Sequence, residues 1–94
     1  MDQPKQVQIK ASDEDLKGRY ANAMQVSHGS DEFTLDFFNL TPPAGQLVGR
    51  IITSPGHMKR ILSALQENIA KYEAKFGPIQ EAKAPKIKPE FKPS

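Results

Sequence analysis

Apolar positions along this chain follow a period of two and then a period of three to four. In "RYANAMQVSHG" the alternation places Tyr20, Asn22, Met24 and Val26 on one face, and in "EFTLDFFNL" it does the same for Phe33, Leu35 and Phe37. Between these runs "SHGSDE" is a turn cluster centred on Gly29 and Ser30, so the two predict a β-hairpin. Turning there sets Val26 opposite Phe33 and Met24 opposite Leu35, which brings the apolar faces together. A third run, "QLVGRIITS", follows the punctuation "TPPAG". Folded back around Pro43, it sets Leu35 against Ile51, Phe37 against Gly49 and Asp36 against Arg50. An aromatic over a glycine and an Asp–Arg pair are both sound cross-strand partners.

The period changes at "SPGHMKRILSALQENIAKYEAKFG". Ser54 reads as an N-cap and Pro55 suits the first helical position. Met58, Ile61, Leu62, Leu65, Ile69, Tyr72 and Phe76 then form one stripe at helical spacing. Lys71 and Lys75 lie near the negative end of the helix dipole, and Gly77-Pro78 stops the helix. The fold class expected is α+β: a three-stranded antiparallel sheet of two hairpins, packed on one long C-terminal amphipathic helix, with flexible termini.

That arrangement gives the sheet two unlike faces. Met24, Val26, Phe33, Leu35, Phe37, Leu47 and Ile51 are expected beneath the helix. The opposite face carries Ala21, Ala23, Gln25, Thr34, Asp36, Phe38, Val48, Arg50 and Ile52. Phe38, Val48 and Ile52, beside Arg50, make this a poor water face, and a single helix covers only one side of a sheet. A second copy is the simplest cover, because a two-fold axis lets one patch cover its own image. Phe38, Val48, Arg50 and Ile52 are therefore the candidate oligomer or partner face, in a homo-oligomer with a dimer favoured.

Composition narrows the chemistry. Three stretches are expected: a polar leader at 1–18, a β-β-β-α domain at 19–77 and a Pro/Lys-rich disordered tail at 78–94. In the leader, "SDEDL" offers an alternative short turn capped by Ser12. In the tail, Pro85, Pro89 and Pro93 alternate with lysines, and Ile87 and Phe91 are anchors for an alternative docking role. The foldable remainder is near the lower size limit for a self-sufficient core. The formal net charge of +2 arises mainly in the tail, so the domain lacks the sign bias of a dedicated nucleic-acid binder. With no cysteine there is no disulfide, thiolate nucleophile or zinc-thiolate site. No stretch has signal-peptide or membrane-span character, so the expectation is a cytoplasmic protein without membrane contact.

Candidate catalytic groups do not assemble. His28 falls in a turn and His57 at the helix entrance, and neither has an acid at helical spacing to build a metal set. Asp13, Glu14, Asp15, Asp31 and Glu32 read as solvated charge. Ser27, Ser30, Ser54 and Ser63 lack an elbow motif, and there is no glycine-rich phosphate loop. No catalytic residue, metal ligand or cofactor site is assigned, and the protein is expected not to be an enzyme. His57, Lys59 and Arg60 at the helix entrance are the candidate contact for an anion or nucleic acid.

The runs "GRYANAMQVSHGSDEFTLDFFNLTP" and "RIITSPGHMKRILSALQENIAKYEAKFG" resemble the small bacterial and archaeal proteins of domain-of-unknown-function family 3467. The matching positions are Tyr20-Ala21-Asn22, Glu32-Phe33, Leu35-Asp36-Phe37, Arg50-Ile51, Pro55 and His57. They continue with Leu62, Ala64-Leu65, Asn68-Ile69, Tyr72-Glu73 and Phe76-Gly77, over roughly residues 18–79. Met58 and Gly56 depart from the family pattern. The resemblance implies small stand-alone proteins and assigns no activity. The function expected is thus a non-enzymatic oligomeric module that binds a protein or peptide. The alternative is a single-stranded nucleic-acid accessory protein using Arg19, Arg50, Lys59, Arg60 and the tail lysines.

Overall fold

The structure is a computed structural model that describes residues 4–83 and 90–91. Pro85, Ile87, Pro89 and Pro93 of the expected tail lie outside the described residues. A short helix α1 (Asp13–Lys17) precedes strands β1 (Ala23–His28), β2 (Phe33–Thr41) and β3 (Ala44–Thr53), and a long helix α2 (Pro55–Phe76) follows. The strands form one antiparallel sheet in the order β1-β2-β3, as the α+β expectation required.

The register between β2 and β3 is the expected one: Leu35 faces Ile51, Asp36 faces Arg50 and Phe37 faces Gly49. The connection is only Pro42-Pro43, joined by a cis peptide bond. The first hairpin differs from the expected register by two residues. Val26 pairs with Leu35 and Met24 with Phe37, because the turn spans Gly29 to Glu32, closed by the Gly29 N–H donating to the Glu32 carbonyl at 3.0 Å. A shift of two preserves both faces, so the apolar pattern is equally satisfied by either pairing. Strand β1 also starts later than the alternation suggests, which leaves Tyr20 exposed ahead of it.

A β-bulge corrects one face assignment. Register slips between Phe37 and Phe38, so Phe38 pairs with Leu47 and Val48 has no partner of its own. Leu47, expected under the helix, is thereby turned to the face of Phe38 and Arg50. Beyond the bulge Leu40 faces Gly45, where an added Cβ would lie 2.6 Å from Leu40 Cδ2.

Helix α2 has the boundaries its sequence dictates. Ser54 Oγ accepts from the His57 N–H at 3.2 Å and Pro55 occupies the first turn. Gly77 ends the helix at φ +98°, a conformation that favours glycine, with its N–H donating to the Glu73 carbonyl. The Glu73 carboxylate accepts from the Ile79 N–H at 2.9 Å, which ties the residues after Gly77 to the last turn of the helix.

The helix does not lie over the sheet. Extensive contact between elements is that of β1 with β2 and of β2 with β3. Met58 and Ile61 at the helix entrance are half-buried, whereas Leu62, Leu65, Ile69, Tyr72 and Phe76 each expose half or more of their surface. Met24 and Ile51 on the facing side of the sheet are also more than half exposed. Among the described residues only Leu35, Asp36 and Phe38, all on the central strand, are buried. The Cα radius of gyration is 16.6 Å, against about 12 Å for a compact chain of this length. The expected α+β elements are thus present, with the stripe of α2 left open instead of seated on the sheet.

Candidate functional site

The best-built constellation lies on the outer face of the sheet. Because β2 and β3 pair Asp36 with Arg50, the two side chains emerge on the same side. Arg50 Nε donates to Asp36 Oδ1 at 2.7 Å and Nη2 donates to Oδ2 at 3.0 Å, a planar two-point fit. Asp36 is 5% exposed, the one buried charged residue among those described, and Arg50 supplies its counter-charge. The Arg50 hydrogen bonds hold the Asp36 carboxyl below the usual carboxylate range, against the opposing pull of burial. The same bonds raise the Arg50 guanidinium.

Phe38 is 4% exposed on this face. Its cover comes partly from the C-terminal segment: the Phe91 ring lies 5.8 Å from the Phe38 ring, tilted by 42°. Arg50 Cζ stands 5.6 Å from the Phe91 centroid, so the guanidinium held by Asp36 also meets an aromatic face. The expected cover for Phe38 was a second copy, and in the structure Phe91 of the same chain is placed against it. Val48 is half-buried at the bulge and Ile52 is exposed at the far end of the face. Phe38, Arg50 and Ile52 share the face as the alternation requires, and Leu47 joins them.

Two contacts brace the edge of this face. Arg19 Nη1 donates to the Val48 carbonyl at 3.0 Å, reaching the bulge from the segment before β1. Asn22 acts as an extra ladder rung: its N–H donates to the Phe38 carbonyl, its Nδ2 donates to the Leu40 carbonyl at 3.0 Å, and its Oδ1 accepts from the Leu40 N–H at 2.8 Å. The leader contributes order as well. Ser12 and Asp15 form a reciprocal capping box for α1, so "SDEDL" adopts the capped turn instead of the solvated leader. The Ser12 backbone N–H, then its hydroxyl, lower the Asp15 carboxyl.

The opposite face and the helix stripe form the second surface. Met24, Val26, Leu35, Phe37 and Ile51 line one side of the sheet, and Leu62, Leu65, Ile69, Tyr72 and Phe76 line α2. The Tyr72 and Phe76 rings meet at a 46° tilt with centroids 4.9 Å apart, and Lys75 Nζ sits 5.2 Å from the Phe76 ring centroid.

The helix entrance is the third. His57, Lys59 and Arg60 line one shallow concavity with Ser63, Ala64 and Glu67, all of them on α2. His57 contributes its N–H to the Ser54 cap. Among the described residues no three of His, Cys, Asp and Glu converge in a way that can hold a metal ion. Among them, too, no helix is long and apolar enough to cross a membrane.

A family model described as "Protein of unknown function (DUF3467)" matches residues 1–81. The chain belongs to that family. The DUF3467 match takes in the α1 leader as well as the sheet and helix, a wider span than the resemblance of roughly residues 18–79. It stops before Phe91, so the aromatic that covers Phe38 lies outside the part shared with the DUF3467 family. Comparisons with curated proteins and with solved structures give no match.

The alternation in the sequence brings Asp36, Arg50, Phe38 and Ile52 together, whereas the roles of Leu47, Arg19 and Asn22 emerge only in the fold. The Leu47 reversal leaves no mark on the local apolar pattern. For Asn22 a signal did exist: a polar residue at an apolar-face position just ahead of a strand is suited to pairing with backbone.

Proposed function

We propose that this protein is a non-enzymatic interaction module that completes its core with a second copy of itself and binds a protein or peptide partner. One observation carries the reading. Among the described residues only three are buried, while the α2 stripe and the Met24–Ile51 face of the sheet both stand open. A chain of this size needs most of its large apolar side chains out of water to be stable. Two open apolar surfaces on one chain provide a direct solution, because the helix of one copy can cover the sheet of the other reciprocally. The outer face with Phe38, Val48, Arg50 and Ile52 then remains for a partner. The test is the melting temperature across about a hundredfold range of protein concentration. A core completed between chains makes it rise with concentration, whereas a concentration-independent value overturns the reading.

A second reading, contact with single-stranded nucleic acid, has one observation in its favour: His57, Lys59 and Arg60 line the same concavity. It requires binding to single-stranded DNA or RNA that weakens steeply with salt. Absence of binding at low salt removes it.

A further inference from the structure

We propose that the outer sheet face around Phe38 is a docking site for an aromatic residue carried on an extended segment, and that the chain's own C-terminal segment fills it through Phe91. The site has a built floor and wall. Phe38 forms the floor, with the Phe91 ring 5.8 Å away in a tilted arrangement favourable for aromatic pairs. Arg50 forms the wall, with Cζ 5.6 Å from the Phe91 centroid. Asp36 fixes that guanidinium at two points, so little side-chain freedom remains to be lost when a ring arrives. Leu47, brought to this face by the bulge, extends the apolar surface beside Phe38.

The occupant is identified by connectivity and reach. Helix α2 has 22 residues, roughly 33 Å at the usual helical rise. Residues 78–91 follow it, and such a stretch spans up to about 46 Å when extended. The Ile79 N–H donates to the Glu73 carboxylate, which ties the start of this stretch to the last turn of the helix. In sequence the anchor Phe91 stands between Pro89 and Pro93, in the run "KIKPEFKPS".

Phe91 itself stays about half exposed, so the contact is of modest strength and reversible. The short tether, not the contact alone, keeps the site filled, through a high effective concentration. The segment acts as a displaceable occupant: another chain that presents an aromatic on an extended segment competes for Phe38 and Arg50. This site rests on the reading of the outer face as the partner surface and lies on the sheet face opposite Met24 and Ile51, so it stands or falls separately from self-association.

The test uses a fluorescein-labelled peptide of residues 78–94 and full-length protein, read by fluorescence anisotropy. The peptide should bind the Phe91→Ala chain about tenfold or more tightly than the wild type, whose own segment competes. Peptide carrying Phe91→Ala should not bind, and adding Arg50→Gln to the Phe91→Ala chain should weaken binding. Equal binding to wild type and Phe91→Ala, or no saturable binding to Phe91→Ala, overturns the proposal. Matching circular dichroism of the two chains checks that the half-exposed Phe91 is not required for folding.

Discussion

Arg50 grips both carboxylate oxygens of Asp36, at 2.7 and 3.0 Å, directly across the β2–β3 ladder. Asp36 therefore titrates lower in the folded chain than in the unfolded one. Its contribution to stability is complete above the unfolded carboxylate's pKa and disappears as pH falls from there through the lowered folded value. The melting temperature should drop over that acid window, and Asp36→Asn should flatten this part of the profile. Arg50→Lys keeps the charge but loses the two-point fit, so it should lower the melting temperature at neutral pH. If Arg50→Lys melts like wild type, the forked geometry contributes nothing.

Ser54 caps α2 through the His57 N–H. Ser54→Ala should cost about 1 kcal/mol in denaturant unfolding, and Ser54→Asp should restore most of it. A loss of equal size in both variants would mean that the hydroxyl acts in packing instead of capping.

Asn22 satisfies the Leu40 N–H and carbonyl together. Asn22→Ala should free both groups and speed hydrogen exchange at the Leu40 amide while leaving Leu35 protected. Uniform acceleration across β2 would instead point to global destabilisation.

Much of this fold is legible in the sequence, and the exceptions share a cause. The β2–β3 register was readable because Asp36 with Arg50 and Phe37 with Gly49 fit each other only when correctly aligned. The first hairpin lacks such a pair, and a two-residue shift leaves its alternation intact, so the pattern alone fits Val26 against Phe33 as well as against its actual partner Leu35. The bulge at Val48 adds one residue without altering any local propensity, so simple alternation puts Leu47 on the face opposite to the one it occupies. Ser54, Pro55 and Gly77 marked α2 clearly because capping is local chemistry. Where that helix packs is a non-local matter, and its stripe specifies that it must be covered without specifying by what. The same holds for Phe91, whose contact with Phe38 joins residues with no shared periodicity.

Leu65 separates a lone chain from an assembly. It is 58% exposed in the single chain, so Leu65→Asp should change stability by no more than about 0.5 kcal/mol if the protein works as a monomer. Burial of this position against a second copy makes the same substitution break the assembly.

The most direct test is the molecular mass in solution, by sedimentation equilibrium at high micromolar concentration. Completion of the core by a second copy predicts a wild-type mass that is a multiple of 10.4 kDa, twice that value in the simplest case, and a single-chain mass for Leu65→Asp. A wild-type protein that sediments at 10.4 kDa and still melts cooperatively would contradict it.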